Sequence, residues 1–497
     1  MLKGMKDSEK WKVVGIHIML YAFLLLFFIR ICPMIPYDQD DWIYLGQMRI
    51  PLPLWGDWNP VKVLPEVLMP MCGYISAYVV YPIVGDYLYS ITIMAGIIVS
   101  SFVCLLCFCV MKFLKTRIHV SVNMALVFEI LFLILNFAIF RNRGTSRYMF
   151  YADNMNCVFN YTIPGIVNAI AVLIMMQRRN FQEVYDNYSN GKKGLFILII
   201  YVAIFSNIFH SEMTAIYCGT ILLLDLLEEI KKKIFELKNY VKNHRIYLSI
   251  LVIWCVSIIF EMNGARAARV SNDASLSFET SFRQLFALIQ ALADPFMILA
   301  VACIMWSIFH IGKKWYSKLQ RETIEDVYLQ IVFNVVLVMI YLIVLCSGVN
   351  YMSRIEASWN IWFYLILYVV LSLAHIITKF KKMKPIMIPV LVLSAIISFY
   401  PDGRFLISTF GNVDYKTCMN TDKYIINQII EADYAGMDSA VIYVPEYTGE
   451  TKAWIFGGNY AHGMVNTLYS HGFLRNKIAV ETKTDPLLLD ELKKINE

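Results

Sequence analysis

Residues 13–32 read VVGIHIMLYAFLLLFFIRIC, a run that is almost wholly apolar. A helix needs about 20 such residues to cross the hydrocarbon core of a bilayer. Lys3, Lys6, Lys10 and Lys12 precede the run. The run is longer than the apolar part of a typical signal peptide, and no small-residue cleavage site follows it. We therefore expect an uncleaved first transmembrane helix.

Similar apolar runs recur as far as Tyr400. Hydrophobic residues make up 58% of the chain and charged residues only 16%, whereas about a quarter of a soluble domain is charged. The sequence therefore predicts an α-helical polytopic membrane protein with about eleven transmembrane helices. The predicted spans are residues 13–32, 87–111, 120–140, 158–176, 195–209, 213–227, 246–262, 284–309, 328–347, 357–378 and 386–400.

Lysine and arginine cluster between these spans. With the N-terminus inside, the inner segments hold most of them, as the positive-inside rule requires. We therefore expect a cytoplasmic N-terminus and, because the number of spans is odd, an extracytoplasmic C-terminus. The basic clusters lack an aromatic face on which bases could stack. The lipid bilayer is thus an expected partner, and nucleic acid is not.

Composition divides the chain into a transmembrane body, residues 1–400, and a more polar domain, residues 401–497. Within the body, residues 33–86 are predicted to form an outer loop with helices that lie at the membrane interface or dip into it. Prolines and a glycine interrupt the apolar part of that loop.

The segment after residue 400 predicts a small extracytoplasmic α/β domain. Residues 422–433 form an amphipathic pattern typical of a helix. Residues 439–445 and 477–482 read as strands, and residues 454–473 between them are predicted to be partly helical. Two short strands make only a small hydrophobic core, so we expect this domain to pack against the transmembrane body.

The stretch YDQDDWIY, residues 37–44, directly follows the first span. Asp38, Asp40 and Asp41 would raise one another's pKa values there. Such a cluster suits a general base, a metal site or a sugar clamp; the alternative is an Asp that caps a short helix. Trp42 suits either a membrane-interface belt or stacking on a sugar ring.

The uncleaved first helix, the Asp40-Asp41-Trp42 signature and the long outer loop resemble the GT-C membrane glycosyltransferases, especially the bacterial O-antigen glucosyltransferase type. The resemblance implies a GT-C-like fold in the bacterial cytoplasmic membrane. It also implies an inverting transfer of a sugar from a polyprenyl-phosphate donor to a glycan or glycolipid acceptor of the cell envelope, at the outer face. No cofactor is implied, and the question of a divalent cation stays open.

The resemblance also assigns roles within the acidic stretch. Asp40 or Asp41 would be the general base, while the other would orient it or bind the sugar. Asp38 and Trp42 would contact substrate. Many relatives carry an Asn-Gly-Arg-like element later in this loop, and the comparable residues 57–62 end here in Lys62.

A lipid phosphate leaving group needs cations. Arg143 and Arg354 are the preferred candidates from the predicted outer loops, together with Lys62, although each also suits an anchor for lipid headgroups. His210 and Glu212, at a turn predicted over residues 209–212, are candidate substrate-binding residues, because such groups near apolar runs must face a cavity or pair. No metal ligands are predicted.

Two other classes of function compete with the transferase. A polysaccharide-unit flippase or other transporter would show paired broken helices and charges at mid-membrane. Glu129, inside the third predicted span, would suit a proton path, but a hydrogen bond within the bundle is the simpler role. An O-antigen polymerase or ligase would concentrate its chemistry in a large late loop. Because the acidic cluster lies in the first loop, the transferase is preferred.

Overall fold

The computed structural model describes residues 6–47, 63–142, 145–152, 154–262, 277–317, 323–380, 382, 384–399, 414–446 and 458–495. Within these ranges the chain is predominantly helical. Seven helices are long and apolar enough to cross a membrane, or eight when one bent pair is taken as a single span. The chain is therefore a helical membrane protein, as predicted, while the number of eleven spans stays a prediction.

The first half of the body contains eight helices among its described residues. They are α1 (Asp7–Leu26), α2 (Gln39–Gly46), α3 (Val63–Ile75), α4 (Tyr81–Val84), α5 (Tyr87–Arg117), α6 (Val122–Ala138), α7 (Met155–Cys157) and α8 (Ile163–Met176). Wider π-helical turns continue α1, α3 and α7, at Phe27–Ile31, Ser76–Val80 and Val158–Thr162. A short hairpin pairs β1 (Arg141–Asn142) with β2 (Thr145–Ser146).

The described second half of the body is also helical. Its elements are α9 (Phe181–Asp186), α10 (Asn190–Ile204), α11 (Ile208–Lys232), α12 (Leu237–Asn243), α13 (Arg245–Met262), α14 (Phe278–Gln290), α15 (Asp294–Ser317), α16 (Thr323–Cys346), α17 (Trp359–Lys379) and α18 (Lys384–Phe399). The run Met155–Met176, which α7 and α8 form together, is almost wholly buried and packs against α5, α10 and α11. It is the centre of the bundle.

The structure corrects the turn predicted at residues 209–212. The chain breaks earlier, between Ile204 and Ile208, where Asn207 caps α11 by accepting a hydrogen bond from the amide of Phe209 at 2.9 Å. Because an Asn side chain satisfies a free amide at a helix start, His210 and Glu212 lie in the first turns of α11. They are helical residues rather than turn residues.

Two other predicted segments differ in shape. Residues 284–309 are not one straight helix, because α14 and α15 meet at 102° just before Asp294-Pro295. Residues 65–84, expected at the interface, form the continuous run Glu66–Val84, which has the length and composition of a span. Pro82 lies in the first turn of α4, directly after the π-helical turn Ser76–Val80.

Glu129 of α6 has a partner inside the bundle. Its Oε1 lies 2.8 Å from Nε2 of His17 on α1, and the other nitrogen of that ring lies 2.8 Å from the carbonyl oxygen of Val13. Glu129 is therefore paired with His17 inside the bundle.

The C-terminal segment contains α19 (Tyr415–Tyr434), β3 (Ser439–Pro445), α20 (Gly458–Ser470), β4 (Ala479–Asp485) and α21 (Leu488–Lys494). The strands are parallel and pair from Ser439–Ala479 to Pro445–Asp485. Parallel neighbours need a crossover, and α20 lies on it. The first strand has the predicted bounds, and the second is displaced by a few residues from residues 477–482.

Candidate active site

The acidic stretch forms the two-turn helix α2, and Asp38 is its cap. The carboxylate of Asp38 accepts a hydrogen bond from the amide of Asp40 at 2.9 Å, and that of Asp41 accepts one from the amide of Asp38 at 3.2 Å. This reciprocal arrangement is a capping box, which satisfies amides that have no partner within the helix. The capping role considered for an Asp in this stretch is therefore present.

Asp41 is fully buried and held by the backbone. Its Oδ2 also accepts from the amide of Tyr37 at 3.0 Å, and its Oδ1 accepts from the amide of Asn156 at 2.5 Å. Burial and the nearby Asp38 raise the pKa of Asp41 to about 8, against the opposing effect of these N–H groups. Because both oxygens are occupied, Asp41 ties α2 to the start of the central run Met155–Met176.

The other two carboxylates of the stretch differ in exposure. Asp40 is exposed at the first turn of α2, so its carboxylate is accessible to a substrate. Asp38 is 8% exposed, and burial raises its pKa, while hydrogen bonds from Asp40 and Asn154 and the positive charge of Arg354 act in the opposite direction. Three adjacent carboxylates thus occupy three different environments.

Arg354, predicted from sequence as a phosphate ligand, lies near this acidic group. Its Nε and Nη2 each lie 2.8 Å from Oε1 of the buried Glu356, and Nη2 also donates to Sγ of Cys157 at 2.9 Å. The guanidinium stands over the rings of Tyr161 and Tyr351, at 5.4 and 4.9 Å from their centroids. The side chain is 20% exposed, so an oriented cation reaches the surface beside Asp38.

His210 and Glu212 form a second polar group, organised by Asn360 of α17. Nδ2 of Asn360 donates to Oε1 of Glu212 at 2.6 Å, and Oδ1 of Asn360 lies 3.1 Å from Nδ1 of His210. All three side chains are buried. The ring of Tyr161 lies between the two groups, since it contacts both the Arg354 guanidinium and the His210 ring. His210 and Glu212 therefore lie behind Tyr161, inside the protein, and do not line the exposed part of the site.

Trp42 is fully buried. Its ring packs 6.4 Å from that of Tyr87, and its backbone carbonyl accepts a hydrogen bond from the hydroxyl of Thr467. A sugar stacks on an exposed ring face, and Trp42 has none here. Its observed role is to pack α2 against the body and the C-terminal segment.

The remaining predicted ligands, Lys62 and Arg143, lie outside the described residues. Among the described residues, no group of three or more His, Cys, Asp or Glu side chains is placed to hold a metal ion.

No protein-family model, curated protein or solved structure matches the chain. The chemistry proposed for it is therefore argued from these residues.

Sequence reasoning missed the asparagines that organise both groups. The side chain of Asn154 bonds Asp38, the backbone N–H of Asn156 bonds Asp41, and the side chain of Asn360 joins His210 to Glu212. For Asn154 and Asn360 the signal was present in the sequence, because amide side chains are costly in apolar segments unless they find hydrogen-bonding partners. What the sequence lacked was the partner of each amide.

Proposed function

We propose that this protein is a glycosyltransferase that moves a sugar from a polyprenyl-phosphate donor to a glycan or glycolipid of the bacterial cell envelope. The observation that carries the proposal is the accessible carboxylate of Asp40, held on a helix whose cap residue Asp38 lies near the oriented cation of Arg354. A transferase of this class needs both charges close together, because one activates the acceptor and the other stabilises the leaving group.

In the proposed reaction, the acceptor hydroxyl oxygen attacks the anomeric carbon of the donor sugar while the Asp40 carboxylate takes the hydroxyl proton. The bond between that carbon and the phosphate oxygen breaks, and polyprenyl phosphate leaves with the electron pair. Attack from the side opposite the phosphate inverts the anomeric carbon. Arg354 would face the departing phosphate, since Arg–phosphate hydrogen bonds are among the strongest in proteins.

Asp40 is a better base in this scheme than Asp41, the other residue considered. Both oxygens of Asp41 accept backbone hydrogen bonds, and a base needs an accessible lone pair within reach of the acceptor proton. Asp41 and Asp38 would instead fix the direction in which Asp40 points. The pair of His210 and Glu212 would support Tyr161 behind Arg354.

The proposal includes a topology. The chain would lie in the cytoplasmic membrane with its N-terminus inside, about eleven spans, and α2 with the C-terminal segment on the outer side. There the lipid anchor of the donor would hold its phosphate at the membrane surface, which turns a bimolecular encounter into a positioned one.

The test is transfer by the purified protein in detergent, with a panel of radiolabelled prenyl-phosphate sugars and cell-envelope acceptors. Asp40→Asn should lower the rate by about 10²–10⁴-fold, the usual contribution of a general base. Asp438→Asn, at another exposed aspartate, is the matched control and should keep the wild-type rate. Full activity of Asp40→Asn would overturn the assignment of the base, and absence of transfer from every donor would overturn the proposed function.

A further inference from the structure

The C-terminal end of α2 is held by side chains from two other elements. A helix leaves its last four carbonyls without a partner of its own. The carbonyl of Gly46 accepts from the hydroxyl of Tyr74 on α3 at 3.2 Å, and that of Leu45 lies 3.2 Å from Nε2 of His471, directly after α20. The hydroxyl of Thr467, on α20, donates to the carbonyl of Trp42, one residue before those four. Two of these three contacts come from the C-terminal segment.

His471 is fixed in one orientation by a second hydrogen bond. Its Nδ1 lies 2.6 Å from the hydroxyl of Tyr87 at the start of α5. Because Leu45 offers a carbonyl acceptor, Nε2 carries the hydrogen and Nδ1 accepts from the tyrosine. The imidazole therefore joins α2 to the membrane body through a residue of the C-terminal segment.

Glycines bring the backbones of α2 and α20 into direct contact. A Cβ on Gly46 would lie 2.7 Å from Cα of Thr467, and a Cβ on Gly463 would lie 2.9 Å from Cγ1 of Ile43. Real Cβ atoms do not approach other heavy atoms so closely. Side chains at these positions would push α20 away from α2.

The same segment reaches the N-terminal side of α2. Cys418 of α19 packs with Ile35 and Tyr37 in a small buried cluster, just before the cap residue Asp38. Nearby, Nζ of Lys423 lies 2.6 Å from Oδ2 of Asp86. The C-terminal segment therefore contacts the chain on both sides of the acidic helix.

A helix of two turns is not stable by itself in water, because the cost of its first turn is spread over too few hydrogen bonds. Its position depends on what it packs against. We propose that the C-terminal α/β segment is a positioning element of the candidate site, and that Thr467 and His471 are positioning residues that hold α2 so that Asp40 points at the acceptor. The claim that this positioning supports catalysis rests on the proposed function. The claim that the two residues hold α2 in place does not.

The experiment compares Thr467→Val, which removes the hydroxyl but keeps the side-chain shape, with Thr467→Ser, which keeps the hydroxyl. Thr421→Val is the matched control, because Thr421 is an equally buried threonine of the same segment whose hydroxyl bonds its own helix, to the carbonyl of Thr417 at 2.8 Å. Hydrogen–deuterium exchange of the α2 amides is measured on the full-length protein in detergent.

Thr467→Val should speed exchange of the α2 amides about fivefold, the opening expected from one lost hydrogen bond. Thr467→Ser and Thr421→Val should exchange as the wild type does. An unchanged rate in Thr467→Val, or an equal acceleration of α2 in Thr421→Val, would overturn the proposal.

The transfer assay separates this inference from the proposed function. If the wild type transfers sugar, Thr467→Val should lower kcat with the donor KM unchanged, and Thr467→Ser should restore kcat. An unchanged kcat would overturn the catalytic part of the inference. If the wild type transfers nothing while exchange in Thr467→Val still rises, the proposed function fails and the positioning role stands.

Discussion

Charged side chains near the two ends of the central run Met155–Met176 differ in how far they are buried. At the Met155 end, Asp41 and Glu356 are buried, and each is held by directed hydrogen bonds. Beyond the Met176 end, Arg179 pairs with Glu228 at 2.8 Å and with Asp326 at 3.6 Å, with 57% of the arginine side chain exposed. The carboxylates named at the Met155 end are buried, whereas the Arg179 side chain is largely exposed.

The difference indicates what each region is for. Exposed ion pairs add little stability, because water screens the charges and the long side chains lose freedom when they pair. Buried ionisable groups are costly to keep charged away from water, so a site that retains several of them gains something other than stability. At the Met155 end that gain is a fixed arrangement of α2 and Arg354. The predictions below test this contrast.

Asp41→Ala should have the largest effect on stability. It leaves the amides of Tyr37, Asp38 and Asn156 without their acceptor, and each unsatisfied buried donor costs about 1–3 kcal/mol. We expect a loss of roughly 3–5 kcal/mol in the free energy of unfolding, measured by thermal denaturation in detergent. Asp40→Asn is the control and should unfold as the wild type does. If Asp41→Ala and the wild type had the same melting temperature, Asp41 would not have the structural role proposed for it.

His471 should make the docking of the C-terminal segment sensitive to acid. Burial lowers the pKa of His471 from 6.5 to about 4. Between these pH values the unfolded chain binds more protons than the folded one. The contribution of His471 to the free energy of unfolding is therefore fully present above about pH 6.5 and is lost as the pH drops toward 4. The loss should reach roughly 3 kcal/mol at the acid end. Melting curves from pH 7 to pH 4.5 measure it.

His471→Gln is the control for that titration. A glutamine can donate to the carbonyl of Leu45 and accept from Tyr87, yet it does not titrate. Its melting temperature should depend less on pH than that of the wild type. The same slope in both proteins would assign the acid sensitivity to other groups.

The sequence predicted the elements well where one local signal decides. The apolar run of α1 and the strand Ser439–Pro445 each follow from neighbouring residues. For the acidic stretch, a capping Asp was only the alternative to a functional cluster, and the structure assigns the cap to Asp38. These features need no knowledge of which distant segment lies opposite.

The rest of the site depends on such distant pairing. Asp40 and Asp41 are adjacent and chemically identical, yet one is exposed and the other buried, because only Asp41 faces the amide of Asn156. Likewise Trp42 has the sequence position of an interface aromatic, yet its ring is buried near Tyr87, and α20, far along the chain, packs on the same helix. No periodicity within α2 carries that information.

Glu356→Gln should have an intermediate effect, on the proposed donor site. The amide keeps the shape of Glu356 but weakens the hold on Arg354, because a charged pair becomes a neutral hydrogen bond. We expect the donor KM to rise about tenfold, since about 1.4 kcal/mol corresponds to that factor, with kcat changed less. Glu279→Gln, in an exposed pair with Arg283, is the control. A wild-type donor KM in Glu356→Gln would mean that the orientation of Arg354 does not contribute to donor binding.

Glu228→Gln should have the smallest effect, because it breaks the network beyond the Met176 end. Glu228 bonds Arg179 and Lys232, but the side chains are largely exposed, so the free energy of unfolding should change by less than about 1 kcal/mol. Raising the salt concentration should shrink even that difference, because ions screen exposed pairs. Melting of both proteins at low and high salt measures it. A loss as large as that of Asp41→Ala would mean that the network supports the fold as strongly as the buried carboxylate does, and the contrast between the two ends would no longer hold.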